Sequence, residues 1–233
     1  MKIRISFTLL ALALGATFAS AQSPYLAYDF SNALSPTVGT GPNLGSNGGT
    51  VDADSYDFGA GEGLSLATTA LDSTTTYTIH LGFSLADVPG YNKILDFKDR
   101  GVDQGLYILN GTLNFFNVIG STTAIANNQF AQVTIVRDGG SSEVRGYLDG
   151  VRQFTFNDGG NLATFTGTNA WFFRDDAVQD GEHSAGSADF IRFYSGALDD
   201  NGVAAITQPV PEPATLAALG LGAAALLRRR RKS

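Results

Sequence analysis

The 233-residue chain has no cysteine, one tryptophan, one methionine and two histidines. Without cysteine there is no disulfide, no thiol nucleophile and no thiolate-bound metal, so any fold is held by its core alone. The two histidines, His80 and His183, are too few and too far apart for a transition-metal set. They are also the only candidate bases for a Ser-His-Asp triad. His80 falls on the polar side of a strand, where an exposed or cross-strand role is expected. His183 lies in an acidic loop with no nucleophile elbow beside it. Between residues 22 and 209 glutamate is scarce, with only Glu62, Glu143 and Glu182. A retaining glycosidase needs two carboxyl groups about 5 Å apart, and no two of these glutamates share a strand at that spacing. A non-enzymatic protein is therefore expected.

Positive charge is short as well. The same span holds eight Lys and Arg against 21 Asp and Glu, a formal charge of −13. The whole-chain value of −7 hides this, because seven of the fifteen cations lie in the first four and last six residues. Such a domain is repelled by nucleic acid and by anionic membrane surfaces, which leaves cations and neutral polymers such as polysaccharide as partners.

Long hydrophobic runs occur only at the two ends. Lys2 and Arg4 precede the apolar run from Ile5 to Phe18, and Ala19-Ser20-Ala21 supplies a small-residue cleavage site. Residues 1–21 thus read as a signal peptide removed by signal peptidase, with Gln22 as the first mature residue. At the other end, Ala214 to Leu227 carries no charge and is followed by Arg228, Arg229, Arg230, Arg231 and Lys232. As a helix at about 1.5 Å per residue this stretch is short of the ~30 Å hydrocarbon core, so it spans only under strain. The basic end would stay in the cytoplasm.

Val210-Pro211-Glu212-Pro213, the apolar stretch and the basic end resemble the PEP-CTERM sorting signal of Gram-negative bacteria. The resemblance implies recognition by an exosortase, transient anchoring in the inner membrane, cleavage near the Pro-Glu-Pro and delivery to the cell surface or beyond. The same tail also occurs on proteins labelled as ice-binding, a label that goes with the tail and not with this domain. Residues 208–233 are accordingly set apart from a domain over 22–207.

Within that domain, alternation with a period of two dominates. Tyr77, Ile79, Leu81 and Phe83 share one face of a strand, and Thr76, Thr78, His80 and Gly82 the other. Asn110-Gly111 joins two strands in a hairpin, and Asp149-Gly150 joins two more. Phe130 to Arg137 forms another strand, and further strands are predicted over 25–30, 63–68, 93–97, 170–173 and 188–194. Only Leu198 to Ile206 predicts a helix, with Asp199 and Asp200 in its first turn. Residues 31–55, rich in Gly, Ser, Asn and Pro, predict a long surface connection. Ten or more short strands with Gly/Asn/Asp turns predict an all-β, antiparallel sandwich.

The strand order over roughly 56–206 resembles a laminin-G-like domain of the concanavalin A-like jelly rolls. Val136-Arg137-Asp138, Tyr147-Leu148-Asp149-Gly150 and Asp189-Phe-Ile-Arg-Phe-Tyr194 with Ala197-Leu198 carry that resemblance. Where the family opens its middle strand with Trp-His-His, this chain has Phe130-Ala131-Gln132. Glucanases of the same fold class carry a Glu-x-Asp-x-Glu run on one strand, which this chain lacks.

Two candidate sites remain. Asp175, Asp176, Asp180 and Glu182 lie on a glycine-containing loop whose carboxylates suit Ca²⁺; the plain alternative is a solvated acidic loop. Trp171, followed by Phe172, Phe173 and Arg174, reads either as a sugar-stacking platform or as a core residue of a strand packed on both faces. Asn110-Gly111-Thr112 is formally a glycosylation sequon, explained by its hairpin turn.

Overall fold

The structure, a computed structural model, describes residues 22–31 and 33–208. The expected signal peptide with Ala19 and Ala21, the Val210–Pro213 motif, the apolar stretch and the basic end lie outside the described residues, and Gln22 is the first described. Among the described residues, no helix is long and apolar enough to cross a membrane.

The strands in chain order are β1 (Leu26–Tyr28), β2 (Gly45–Asn47), β3 (Thr50–Asp52), β4 (Ser55–Phe58), β5 (Gly63–Ala67), β6 (Tyr77–Leu85), β7 (Tyr91–Asp96) and β8 (Leu106–Leu109). They continue with β9 (Thr112–Phe115), β10 (Ile119–Ala124), β11 (Ala131–Asp138), β12 (Glu143–Leu148), β13 (Val151–Asn157), β14 (Asn169–Phe172) and β15 (Gly186–Ser195), before helix α1 (Asp200–Thr207). One sheet runs β13-β12-β11-β6-β15-β4-β3, with β1 on the side of β15; the other runs β10-β9-β8-β7-β14-β5-β2. The strand pairs are antiparallel. The expected antiparallel sandwich is what the chain forms.

The alternating residues of β6 behave as the pattern demands. Tyr77, Ile79, Leu81 and Phe83 are buried between the sheets with Ile94, Leu95, Phe97, Phe115 and Phe172. Stacked and tilted aromatic pairs thicken this core, such as Phe58 on Phe173 at 4.8 Å and Phe97 on Phe165 at 4.9 Å. Both tight hairpins have the positive φ angles that select their residues: Asn110 at 50° with Gly111 at 81°, and Asp149 at 49° with Gly150 at 78°.

Three expectations are corrected. Residues 31–55 are not only a surface connection: β2 completes the edge of one sheet and β3 the edge of the other. Their Gly, Ser and Asn content reads as loop because edge strands this short have no apolar face to reveal them. Strand β10, Ile-Gly-Ser-Thr-Thr-Ala, is hidden for the same reason. His80 is not exposed but wholly buried. The segment after β15 folds over its side of β6, with Thr78 Oγ1 donating to Gly196 O at 2.9 Å and accepting from Leu198 N at 3.0 Å. Val203 of α1 packs there on Val136 and Tyr147. Asp199 is the cap of α1, its side chain accepting from Gly202 N at 2.8 Å, so the helix starts at Asp200, two residues later than its sequence suggests.

Candidate functional site

The outer face of the seven-stranded sheet carries the polar chemistry. Trp171 on β14 sits opposite Ser65 on β5 and Asp96 on β7, while Lys93 on β7 pairs with Tyr107 on β8. Lys93 and Asp96 are three residues apart, a spacing that should put them on opposite faces of a regular strand. A register shift between Lys93 and Leu95 changes this: Ile94 and Leu95 both enter the core, and Lys93 and Asp96 point outward together. Loops 97–105 and 173–185 fold over that row. Positive φ angles at Asp99 (54°), Arg100 (62°) and Phe173 (59°) turn the chain there.

Trp171 is neither fully core nor free. It is half-buried, and its Nε1 donates to Asp99 Oδ1 at 2.8 Å. Asp99 Oδ2 accepts from the backbone N–H and the hydroxyl of Thr168, both at 2.8 Å. Burial raises the pKa of Asp99, but the hydrogen bonds from Trp171, Thr168 and Asn169 outweigh it and hold the carboxyl below its usual range. Two guanidinium groups lie over the indole, Arg100 at 5.4 Å and Arg174 at 5.9 Å from the ring centroid. Each is tethered to backbone: Arg100 Nε donates to Asp175 O at 2.6 Å, and Arg174 Nη1 to Gly61 O at 2.7 Å. The result is an indole of fixed orientation with two charged hydrogen-bond donors packed over its ring.

Further along the same face, Tyr91, Tyr107 and Phe116 form an edge-to-face group with centroids 5.3 to 6.2 Å apart, and Tyr91 is 39% exposed. Sequence reasoning missed this group. Its only signal was that Tyr91 and Tyr107 occupy outward positions on neighbouring strands with Phe116 just past the end of β9, which requires the register to be known.

The acidic loop is only partly solvated. Asp175 and Asp176 are 2% and 0% exposed, because their carboxylates hold the loop itself. Asp175 accepts from the N–H groups of Asp176 (2.8 Å) and Glu182 (2.7 Å), and Asp176 Oδ1 from those of Val178 (2.7 Å) and Gln179 (2.8 Å). Asp176 Oδ2 faces Lys93 Nζ at 2.5 Å, and the same Nζ lies 3.3 Å from Asp96 Oδ2. Burial alone would raise Asp176, but the Lys93 ammonium and the two loop N–H groups prevail and its pKa is lowered. Burial pushes the carboxyls of Asp175 and Glu182 upward, and the neighbouring acids add to this. The four residues expected around one Ca²⁺ fall into two groups. Asp175 and Asp180 bring ligand atoms within 4.8 Å of one another and of His183, while Asp176 and Glu182 do so with Asp103.

Comparison with known proteins agrees with this architecture. The family profile described as concanavalin A-like lectin/glucanases superfamily matches residues 58–204, and that of the PEP-CTERM protein-sorting motif matches 209–232. No curated protein sequence matches the chain. Among solved structures, domain 4 of an extracellular arabinanase from Geobacillus stearothermophilus, in complex with arabinotriose, superposes with a TM-score of 0.61 at 16% identity, covering 81% of this chain and 100% of that one. A botulinum neurotoxin type C structure, whose cell entry depends on two ganglioside molecules, gives 0.59 at 12% identity; the match covers 80% of this chain and 50% of the toxin chain. The CBM40 domain of a Ruminococcus gnavus sialidase, bound to α2,3-sialyllactose, gives 0.53 at 15% identity over 66% and 96% of the two chains. At these identities the likeness is one of fold. The sorting motif implies processing by an exosortase, export and delivery to the cell surface. The chain belongs to the concanavalin A-like lectin/glucanase superfamily, as a laminin-G-like domain joined to a PEP-CTERM sorting signal.

Proposed function

We propose that the exported domain is a glycan-binding protein of the cell surface or exopolysaccharide layer, with no catalytic role. The observation that carries this reading is Trp171, held in the outer face of the sheet by Asp99 and overlain by Arg100 and Arg174. A sugar packs its C–H groups against the part of the half-buried indole that the guanidinium groups leave open, while its hydroxyls take hydrogen bonds from those groups. The Tyr91–Phe116 group on the same face offers a second aromatic contact to a longer chain. The net charge of −13 over residues 22–209 favours a neutral polymer over an anionic one. Solved structures of the same fold with arabinotriose and sialyllactose bound support the class of ligand.

The test is a glycan array on the purified protein, with and without calcium. Binding that Trp171→Ala reduces at least tenfold supports the reading; an array on which no neutral glycan binds removes it. In this reading calcium would sit on the carboxylates of Asp175 and Asp180, and loss of binding in EDTA that Asp180→Asn reproduces would assign it there. Cleavage of a bound polysaccharide, abolished by Glu182→Gln, would replace the reading with a hydrolase.

A further inference from the structure

We propose that Lys93 and Asp176 condense into an intramolecular amide, a covalent bridge between β7 and the loop that follows β14. The proposal is independent of glycan binding. Lys93 Nζ and Asp176 Oδ2 are 2.5 Å apart, and both side chains are 0% exposed. Water is excluded from the pair, and the carboxyl carbon lies one bond beyond the contacted oxygen, within reach of the amine.

The groups around the pair are those that an amide-forming step requires. Asp96 Oδ1 is fixed by the N–H groups of Lys98 (2.9 Å) and Arg100 (2.8 Å), which leaves its Oδ2 to hold an Nζ hydrogen at 3.3 Å. The Tyr107 hydroxyl, which donates to Asp103 O at 2.9 Å, also lies 3.4 Å from Asp176 Oδ2, the oxygen to be polarised, and the Tyr107 ring centroid lies 5.1 Å from Nζ. Glu182 has ligand atoms within 4.8 Å of those of Asp176, and its buried Oε2 has no hydrogen-bond partner among the described residues. A buried carboxyl oxygen of this kind, beside a close Lys–Asp contact, is placed to accept a proton.

The step balances without any further reactant. A proton passes from the ammonium to the carboxylate, so both partners become neutral. The Nζ lone pair attacks Asp176 Cγ, and Glu182 takes the second Nζ proton. Glu182 then returns it to the departing hydroxyl as the C–O bond breaks. The products are an amide and one water. The link would pin the loop bearing Arg174 and Asp175 to the sheet across 83 residues of chain, as a disulfide would in a protein that had cysteine.

Proteolytic digestion of the purified full chain with mass spectrometry of the peptides decides the matter. The expected product is a branched peptide joining the Lys93 and Asp176 segments, lighter than their sum by one water. Lys93→Arg, which keeps the charge, should give only separate peptides, and Glu182→Gln should leave most of the protein unlinked. Separate, unmodified Lys93 and Asp176 peptides from the folded wild-type protein would overturn the proposal. A fully linked Glu182→Gln protein would overturn the role of Glu182.

Discussion

The Trp171 indole is hydrogen-bonded to Asp99 across 72 residues of chain, and the same carboxylate ties down both donors of Thr168. Asp99 is thus the positioning residue for the aromatic platform. Asp99→Ala should free the indole and leave the Thr168 N–H without its partner, a cost of about 1–2 kcal/mol in stability. Asp99→Asn keeps one acceptor and should cost less. If the platform binds sugar, both variants weaken affinity in that order while Trp171→Phe, which keeps a ring but not the donor, falls between them. Isothermal titration together with urea unfolding of the same set separates lost binding from lost fold.

The Arg137–Asp158 pair ties the closing turn of the β11–β12 hairpin to the loop before β14. Arg137 is 1% exposed and donates from Nε to Asp158 Oδ2 at 2.8 Å, from Nη1 to Thr75 O at 2.6 Å and from Nη2 to Asn161 Oδ1 at 2.9 Å. Asp158 in turn accepts from the N–H groups of Leu162 and Ala163. Removing the cation strands a buried carboxylate, so Arg137→Met should cost about 3–5 kcal/mol. Arg137→Met with Asp158→Asn removes both charges and should recover part of that loss. Denaturant unfolding of the two variants measures the difference.

These two sites also show where the sequence is legible. The Val136-Arg137-Asp138 run and the period-two strands with their Asn-Gly and Asp-Gly turns report the fold directly, because alternation and turn chemistry are local properties. Asp158, the partner of Arg137, stands 21 residues away in a loop that no periodicity describes. The same holds for Trp171: its strand is readable, but its exposure depends on Asp99 and on two arginines from different loops. Lys93 was hidden more deeply still. A bulge within β7 sets it on the same face as Asp96, and no pattern of apolar residues announces a bulge. The acidic loop reads as solvated because charge is its obvious property, whereas in the fold two of its carboxylates serve as acceptors for its own backbone.

A glycine on β6 supplies a sharper packing test. Phe190 lies over Gly82, and a Cβ there would sit 2.3 Å from the Phe190 ring. Gly82→Ala should therefore displace the ring from its edge-on contact with His80 and cost about 1–3 kcal/mol through overpacking. Gly82→Ala with Phe190→Leu should be milder than Gly82→Ala alone, since the smaller side chain can yield. Thermal melting of the three proteins, wild type included, reads this directly.

His80 makes the stability of the domain depend on pH. Its ring is buried edge-on against Phe190, on a strand flanked by Arg192 and Thr134; Gln132 lies nearby, but neither ring nitrogen has a well-formed hydrogen bond among the described residues. Burial first, and the Arg192 charge second, lower its pKa from 6.5 to about 3. Above pH 6.5 the ring is neutral in both the folded and the unfolded chain, so it contributes no pH dependence there. Below that value the unfolded chain takes up a proton that the folded one refuses, and stability falls by about 1.4 kcal/mol per pH unit until the folded pKa is reached. The carboxyls of Asp175 and Glu182, raised on folding, act in the opposite direction between their unfolded and folded values. The difference between wild type and His80→Leu isolates the histidine. Measured from pH 7 to pH 4, the wild type should lose about 2–4 kcal/mol more than the variant. Equal losses in the two proteins would mean that His80 is protonated within the fold.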